Sequence, residues 1–308
     1  MINTDSMKNI PVLAQLSSLI LDKLSGIIQE KKYNNNEEIF AQGSPADSFI
    51  IVYSGSVTIS AKSRTLAIIT EKLFFGEMAL FEDKPRIASA TANGQAILWL
   101  ITREEFLKLL NSDLNTATTL LMAIISTTLE RLNKTNQAVI TLYEIGKIIG
   151  EAPDLKNMSS AIFRKIAESL QACEGIIAIH NEFTEEFDIH DHIGPQPLSI
   201  TTLESTDPLI ELLADTKEPL LIENIETYPE SDLVKDKFYY KKSLICAPFF
   251  HLNKFLGFIL FIDDKVNRFD RDDFVLLSTC AGELGSAIDN ARYRQEEEAR
   301  SRLNHNRI

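Results

Sequence analysis

The chain has 308 residues and a net charge of −13 at pH 7, with 44% hydrophobic and 24% charged residues. That length fits two domains of ordinary size, and those fractions are those of a soluble globular protein. The acidic balance argues against broad binding to nucleic acid or to an anionic membrane, since both need a basic face, but it leaves room for one local basic pocket. The three cysteines, Cys173, Cys246 and Cys280, form no close pair and read as reduced thiols rather than a disulfide frame. The first residues, MINTDSMKNIP, lack a basic-then-apolar signal pattern, and the longest apolar run is about eight residues, at 255–262, against about 18 to 20 for a membrane-spanning helix. The expected location is cytoplasmic.

Residues 10–30 carry Leu13, Leu16, Leu19, Ile20, Leu24 and Ile27 at helical spacing. From Lys31 the period shortens, and Asn34-Asn35-Asn36 is turn chemistry because asparagine tolerates left-handed dihedrals. Residues 39–40, 48–60 and 66–69 read as short strands, with Ile50, Val52, Val57 and Ile59 facing inward. Short strands at regular spacing predict a small β-barrel or jelly roll.

Residues 75–92, FGEMALFEDKPRIASATA, read as an anion site. Gly76 lets backbone approach a ligand closely. The first amides of the short run Glu77-Met78-Ala79-Leu80 have no internal partners and point at whatever sits there. Pro85 sets a turn, and Arg86, nine residues past Glu77, offers a planar fork of donors matched to phosphate oxygens. Glu77 is acceptor-only and suits a sugar hydroxyl. Phosphate plus sugar hydroxyl means a nucleotide.

This stretch resembles the phosphate-binding cassette of the cyclic nucleotide-binding domain, shared by bacterial catabolite-activator-type regulators, cyclic-nucleotide-dependent kinases and gated channels. Phe75, Gly76, Glu77, Ala79, Leu80, Pro85, Arg86, Ala88 and Ser89 match the pattern F-G-E-x-A-L, loop, P-R-x-A-S/T. Residues 39–49, I-F-x-x-G-x-x-x-D-S-F, and the later S-G-S-V match as well. The resemblance implies that Arg86 binds the cyclic phosphate and Glu77 the ribose 2′-hydroxyl, with the amides of Gly76, Met78 and Ala79 completing the cradle. In relatives without a nucleotide the two charged residues can pair with each other. The position after the arginine is usually Ala, Ser or Thr, and Thr goes with cyclic GMP; here it is Ile87. Ile87 has no hydroxyl and a stiff side chain, which leans toward cyclic AMP or else narrows the pocket against both.

Residues 96–101 form a nearly continuous apolar strand whose Trp99 reads as core, and Thr102-Arg103-Glu104-Glu105 reads as a helix start. A long helix follows over 114–150. Leu114, Thr118, Leu121, Ile125, Thr128 and Leu132 keep a three-four spacing, which suits either the seam of a parallel homodimer or a stripe packed on the barrel. Catabolite-activator-type proteins dimerise through the corresponding helix, and a pair of its residues meets the adenine amine. The string E-R-L-N-K-T-N resembles that segment and nominates Thr135 and Asn136, with residues 126–128, from Ser126 to Thr128, as the alternative.

The second half predicts helices over 142–149 and 155–170, strands at 175–180, towards 189 and at 220–222, a short helix from Pro208, a hairpin over 242–262 and a closing helix over 270–294. That order is α+β, a sheet with helices on its faces. It resembles a GAF domain in S-L-I-C-A-P from Ser243, G-F-I-L from Gly257, N-R-F-D-R-D-D from Asn267 and A-I-D-N-A-R from Ala287. Phe269 and Asp273 match part of a phosphodiesterase GAF motif, but Phe274 stands where that motif has Glu, which counts against a nucleotide in this half; its ligand stays unnamed. His190-Asp191-His192 places two imidazoles at alternate strand positions; that is short of a metal set, and a polar strand end is the plainer reading. In the tail, Glu296 with Arg300 and Glu298 with Arg302 are helix-supporting pairs.

No P-loop, H-E-x-x-H helix or G-x-S-x-G elbow is present, and no segment is basic enough for DNA recognition. The expected organisation is a cyclic nucleotide-binding domain over 1–113, a connecting and dimerisation helix over 114–138, a GAF-like sensor over 139–291 and a charged helical tail over 292–308. The expected function is that of a non-enzymatic homodimeric sensor without a metal, taking cyclic AMP in preference to cyclic GMP and signalling to a downstream protein. The alternatives are a ligand-free scaffold with a degenerate pocket, or sensing through the GAF-like half alone.

Overall fold

A computed structural model describes residues 2–62, 64–152 and 154–305, with residues 294–305 as backbone only. The proposed tail pairs lie outside the side chains described. The chain divides into two compact units, Met1–Leu132 and Asn133–Ile308.

The first unit opens with three short helices, α1 (Thr4–Lys8), α2 (Pro11–Ala14) and α3 (Ser18–Ser25); the single helical stretch expected over 10–30 is α2 and α3, and its last two residues belong to the first strand. Pro11 opens α2 from its first position, where its missing N–H costs nothing, and the chain turns again before Ser18. Leu13, Leu21 and Leu24 are fully buried, whereas Leu19 faces solvent. Six antiparallel strands follow: β1 (Gln29–Tyr33), β2 (Glu38–Phe40), β3 (Ser48–Ala61), β4 (Arg64–Thr70), β5 (Phe74–Phe75) and, after the short helix α4 (Met78–Phe81), β6 (Ser89–Thr102). The order is β1-β6-β3-β4, with β2 on β6 and β5 on β3.

Alternation along β3 and β6 makes two cores. Ile50, Val52, Val57, Leu98 and Leu100 fill the inside of the sheet. Phe49, Ile51, Trp99 and Ile101 face the helices, including α5 (Arg103–Ser112). Trp99 is 2% exposed, stacks on Tyr53 at 4.3 Å and donates its indole N–H to Glu30. The Thr102 hydroxyl caps α5 by accepting from the Glu105 amide at 3.2 Å.

Helix α6 (Leu114–Glu151) is uninterrupted over 38 residues. Ala117, Leu120, Ala123 and Ile124 join the core of the first unit. This face turns Leu121 partly inward, and the Thr128 hydroxyl bonds back to the Ile124 carbonyl. Among the exposed apolar positions are Met122 and Leu129 beside Ile125 and Leu132, so over this stretch the open stripe uses Met122 and Leu129 where the sequence reading used Leu121 and Thr128.

In the second unit α7 (Leu155–Leu170) precedes β7 (Gly175–Asn181), β8 (Glu186–Ile193), β9 (Thr202–Leu203), α8 (Pro208–Thr216), β10 (Leu220–Ile222), β11 (Ser243–His251), β12 (Lys254–Asp263) and α9 (Arg271–His305). The sheet order is β10-β11-β12-β7-β8-β9, antiparallel throughout. Helices α7 and α9 cover one face, burying Phe163, Ile166, Leu277 and Leu284 against Ile177 and Ile259. Helix α8 and the segment before β11 cover the other, around Ile176, Phe258 and Tyr239.

Candidate functional site

The end of β5 places the cassette. Gly76 has φ of +73°, and a Cβ there would stand 2.7 Å from Arg86 Nη1 and 3.1 Å from the Ser48 carbonyl oxygen. Only glycine fits both the dihedral and the space. Glu77 caps α4 in half-buried position, and Leu80 donates to its carbonyl at 3.0 Å. The Ala79 amide is spent on the Gly76 carbonyl at 3.1 Å, so this member of the expected cradle is already bonded. Met78 points to solvent, whereas Ala79 is buried.

Arg86 is held by backbone first. Its amide donates to the Ser44 carbonyl at 2.7 Å, and its carbonyl accepts from Gly43 at 2.8 Å, beside a bridge between Pro45 and Pro85. The side chain is 6% exposed and lies over the Phe40 ring, 4.0 Å from its centroid. Nη2 donates to the Ser48 carbonyl at 2.9 Å, to Ser48 Oγ at 3.1 Å and to Asp47 at 3.3 Å. The Asp47 carboxylate is 79% exposed, so this contact is screened by water and worth little. Arg86 Nε is buried with no hydrogen-bond partner, an unmet donor that an oxyanion would satisfy. Burial lowers the guanidinium pKa against the opposing pull of Asp47; the group stays cationic at neutral pH. Among the described residues no ion pair joins Arg86 to Glu77. Ile87 is 84% exposed, so its side chain fills no recess here.

Gly76, Glu77 and Arg86 thus belong to one locality of the first unit, while Thr135 and Asn136 lie exposed on α6 in the second. Of the alternative trio, Thr127 and Thr128 return their hydroxyls to the Ala123 and Ile124 carbonyls, and Ser126 is exposed. Sequence reasoning assigned no role to Phe40, Asp47 or Ser48, which make the Arg86 recess, although all three sit in the strand motif it matched. It also missed Arg131, which donates to the Phe74 carbonyl at 3.0 Å and lies over the Phe74 ring.

The histidine pair comes apart. A bulge opposite Ile177 and Ala178 makes His190 the extra residue of β8, and a bulge breaks the alternation that would align His190 with His192. His190 Nδ1 lies 2.9 Å from Ser159 Oγ, and burial lowers its pKa. Asp191 takes both arms of Arg164 at 2.7 and 2.8 Å. Among the described residues no cluster of three or more His, Cys, Asp or Glu is placed to hold a metal.

On the α8 side of the second sheet a cavity of about 50 Å³ is lined by Leu209, Ile222, Tyr228, Leu233, Tyr239 and Leu244, among others. Nearby, Asp207 is 4% exposed and accepts from Tyr239 Oη at 2.5 Å, Lys237 Nζ at 2.8 Å and the Leu209 amide at 3.0 Å. Burial and this carboxylate push the Tyr239 pKa up.

Residues 30–113 match the family model of the cyclic nucleotide-binding domain, and residues 154–288 match that of the GAF domain. The chain carries a cyclic nucleotide-binding domain and a GAF domain. The chain is similar to a cAMP-dependent protein kinase regulatory subunit of Debaryomyces hansenii, 30% identical over 107 residues, covering 34% of this chain and 24% of the relative. An uncharacterized NTE family protein of Mycobacterium tuberculosis is 23% identical over 212 residues, covering 68% of this chain and 33% of the relative. The chain therefore spans a quarter to a third of these relatives' length. Among solved structures, the N-terminal domain of a transcriptional regulator from Streptomyces coelicolor A3(2) is 28% identical, covering 43% of this chain and 95% of that one at a TM-score of 0.37. Among the described residues no helix is long and apolar enough to cross a membrane.

Proposed function

We propose that the chain is a non-enzymatic sensor whose cyclic nucleotide-binding domain takes cyclic AMP in preference to cyclic GMP and passes its state along α6, within a homodimer, to the GAF domain and an effector protein. The observation that carries this reading is Arg86: a buried cation with an unmet donor, directly behind a glycine whose Cβ would strike it. A cyclic phosphate would complete Nε and compete with the exposed Asp47 carboxylate for the fork. Glu77, unpaired with Arg86, is left to accept from a ribose hydroxyl. Ile87 offers no hydroxyl to guanine, and the base contact falls to α6, where Thr135 and Asn136 are the nominated residues. The relay has a physical start in the first unit, since Arg131 of α6 grips Phe74, two residues before Gly76. Relay requires that ligand favour one pose of α6 over another.

Thermal unfolding with millimolar cyclic AMP or cyclic GMP tests this. Cyclic AMP should raise the midpoint, by about 2.7 kcal/mol of stability at a hundredfold excess over Kd, and Arg86→Ala should abolish the rise. A rise with cyclic GMP alone would refute the base preference. No rise with either would favour the ligand-free scaffold, a second reading supported by the contacts Ser48 and Asp47 already make to Arg86.

A further inference from the structure

All five histidines of the chain lie in the second unit: His180, His190, His192, His251 and His305. Histidine is the side chain whose ordinary pKa, about 6.5, puts its charge change near neutrality, and the first unit has none to titrate. The five are not equivalent. His180 and His251 each have a carboxylate beside the ring, Glu185 at 3.4 Å and Asp289 at 3.6 Å, a partner that a charged imidazole can use. His190 has a neutral one. Its Nδ1 lies 2.9 Å from Oγ of Ser159, a fully buried residue of α7 whose hydroxyl is also 3.1 Å from the Lys156 carbonyl.

The place of this contact in the fold gives it leverage. β9 pairs with β8 at Phe187 and Asp188, and the bulge that follows breaks the match of β8 to β7 between Ile177 and Ala178. Two links join the stretch at the bulge to α7. One is the neutral contact of His190 with Ser159, and the other is the charged pair of Asp191 with Arg164. The groups around His190 leave little room for a second charge. α7 contributes Lys156 and α9 contributes Arg292, both cations. β8 contributes Asp188, whose carboxylate accepts from Asn181 at 2.9 Å, and Asp191, already spent on both arms of Arg164. β7 presents Ile177 and Ile179 on this face, and His192, paired with Ile176, belongs to the other. Burial opposes a charge on the ring most; Lys156 and Arg292 add to it against the pull of Asp188, and the pKa is lowered. Ser159 can accept from a charged ring but brings no negative charge to set against it.

We infer that His190 is an acid-sensitive fastener of the GAF domain: when its ring takes up a proton, α7 loosens from β8, and the cyclic nucleotide-binding domain keeps its hold. An imidazole that resists protonation in the fold leaves the domain fully stable above about pH 6.5. That stability is lost as the pH falls from there through the lower folded-state value, because the unfolded chain then binds the proton more readily.

Thermal unfolding of the full chain by circular dichroism at about pH 7.5 and about pH 5.5, beside His190→Gln, tests this. Glutamine keeps a polar end for Ser159 and does not titrate, and the other four histidines are common to both proteins. On acidification the wild-type midpoint should fall further than that of the variant, by up to about 5 °C per pH unit, the most that one proton supplies. An equal fall in both overturns the assignment to His190. Hydrogen exchange of the wild type, read by peptide mass spectrometry and corrected for the intrinsic rate, needs no variant and decides the matter if His190→Gln does not fold. Protection of α7 should drop at the lower pH while that of α5 in the first unit holds. Undiminished protection of α7 overturns the fastener, and an equal loss across α5 overturns its confinement to the GAF domain.

Discussion

Two buried charged groups, Arg86 in the first unit and Asp207 in the second, have their hydrogen bonds met to very different degrees. In the cyclic nucleotide-binding domain Arg86 keeps a buried donor unmet, and its one acidic partner is an exposed carboxylate. In the GAF domain Asp207 is enclosed and accepts from three donors, beside an apolar cavity of about 50 Å³, whereas pockets for small ligands run to about 300 Å³ or more. One site retains hydrogen-bonding capacity for a guest; the other has used its capacity on itself. A buried polar group is evidence of binding only when its bonds have been counted.

The largest effect that tests this contrast should come from Asp207→Ala. It leaves the Tyr239 hydroxyl and the Lys237 ammonium without their acceptor and should cost about 3 kcal/mol, because stripping one partner from a buried network exposes the desolvation of the rest. Chemical denaturation measures it, and the nucleotide response should survive. Gly76→Ala comes next: a left-handed dihedral and a Cβ 2.7 Å from Arg86 Nη1 should cost about 1 to 2 kcal/mol, and here the nucleotide-linked rise should vanish. A large loss of stability with the rise intact would show that the Arg86 recess is structural only. The smallest effect belongs to Ile87→Thr. An 84% exposed side chain should change stability by no more than about 0.5 kcal/mol, while the restored hydroxyl should move the ratio of cyclic GMP to cyclic AMP response upward in the same thermal assay.

Much of this was legible along the chain because it is local. The cassette, the strand motif before it and the GAF signatures are contiguous strings whose spacing survives in one sequence. What was lost depended on partners far away or on one-residue phase. Asp47 and Ser48 lie nearly forty residues before Arg86, and only the pairing of β3 with β5 and β6 brings them beneath it. The first helical stretch kept its apolar spacing across the turn between Ala14 and Ser18, so periodicity merged two helices into one and ran on into β1. The exposed apolar stripe of α6 differs from the expected one by one residue at two positions, since a helix buried on one face and open on another offers two overlapping three-four patterns. The bulge at His190 left no mark in composition, and it undid the alternation on which the histidine pair depended.

Trp99 is the only tryptophan of the chain, buried at 2% exposure and stacked on Tyr53 in the first unit. Excited selectively, its fluorescence is an optical tag on one unit, and the GAF domain is dark at that wavelength. Melting followed by emission therefore records the nucleotide-binding half alone, while circular dichroism records both. The chain comes with its own means of telling which unit a ligand has steadied.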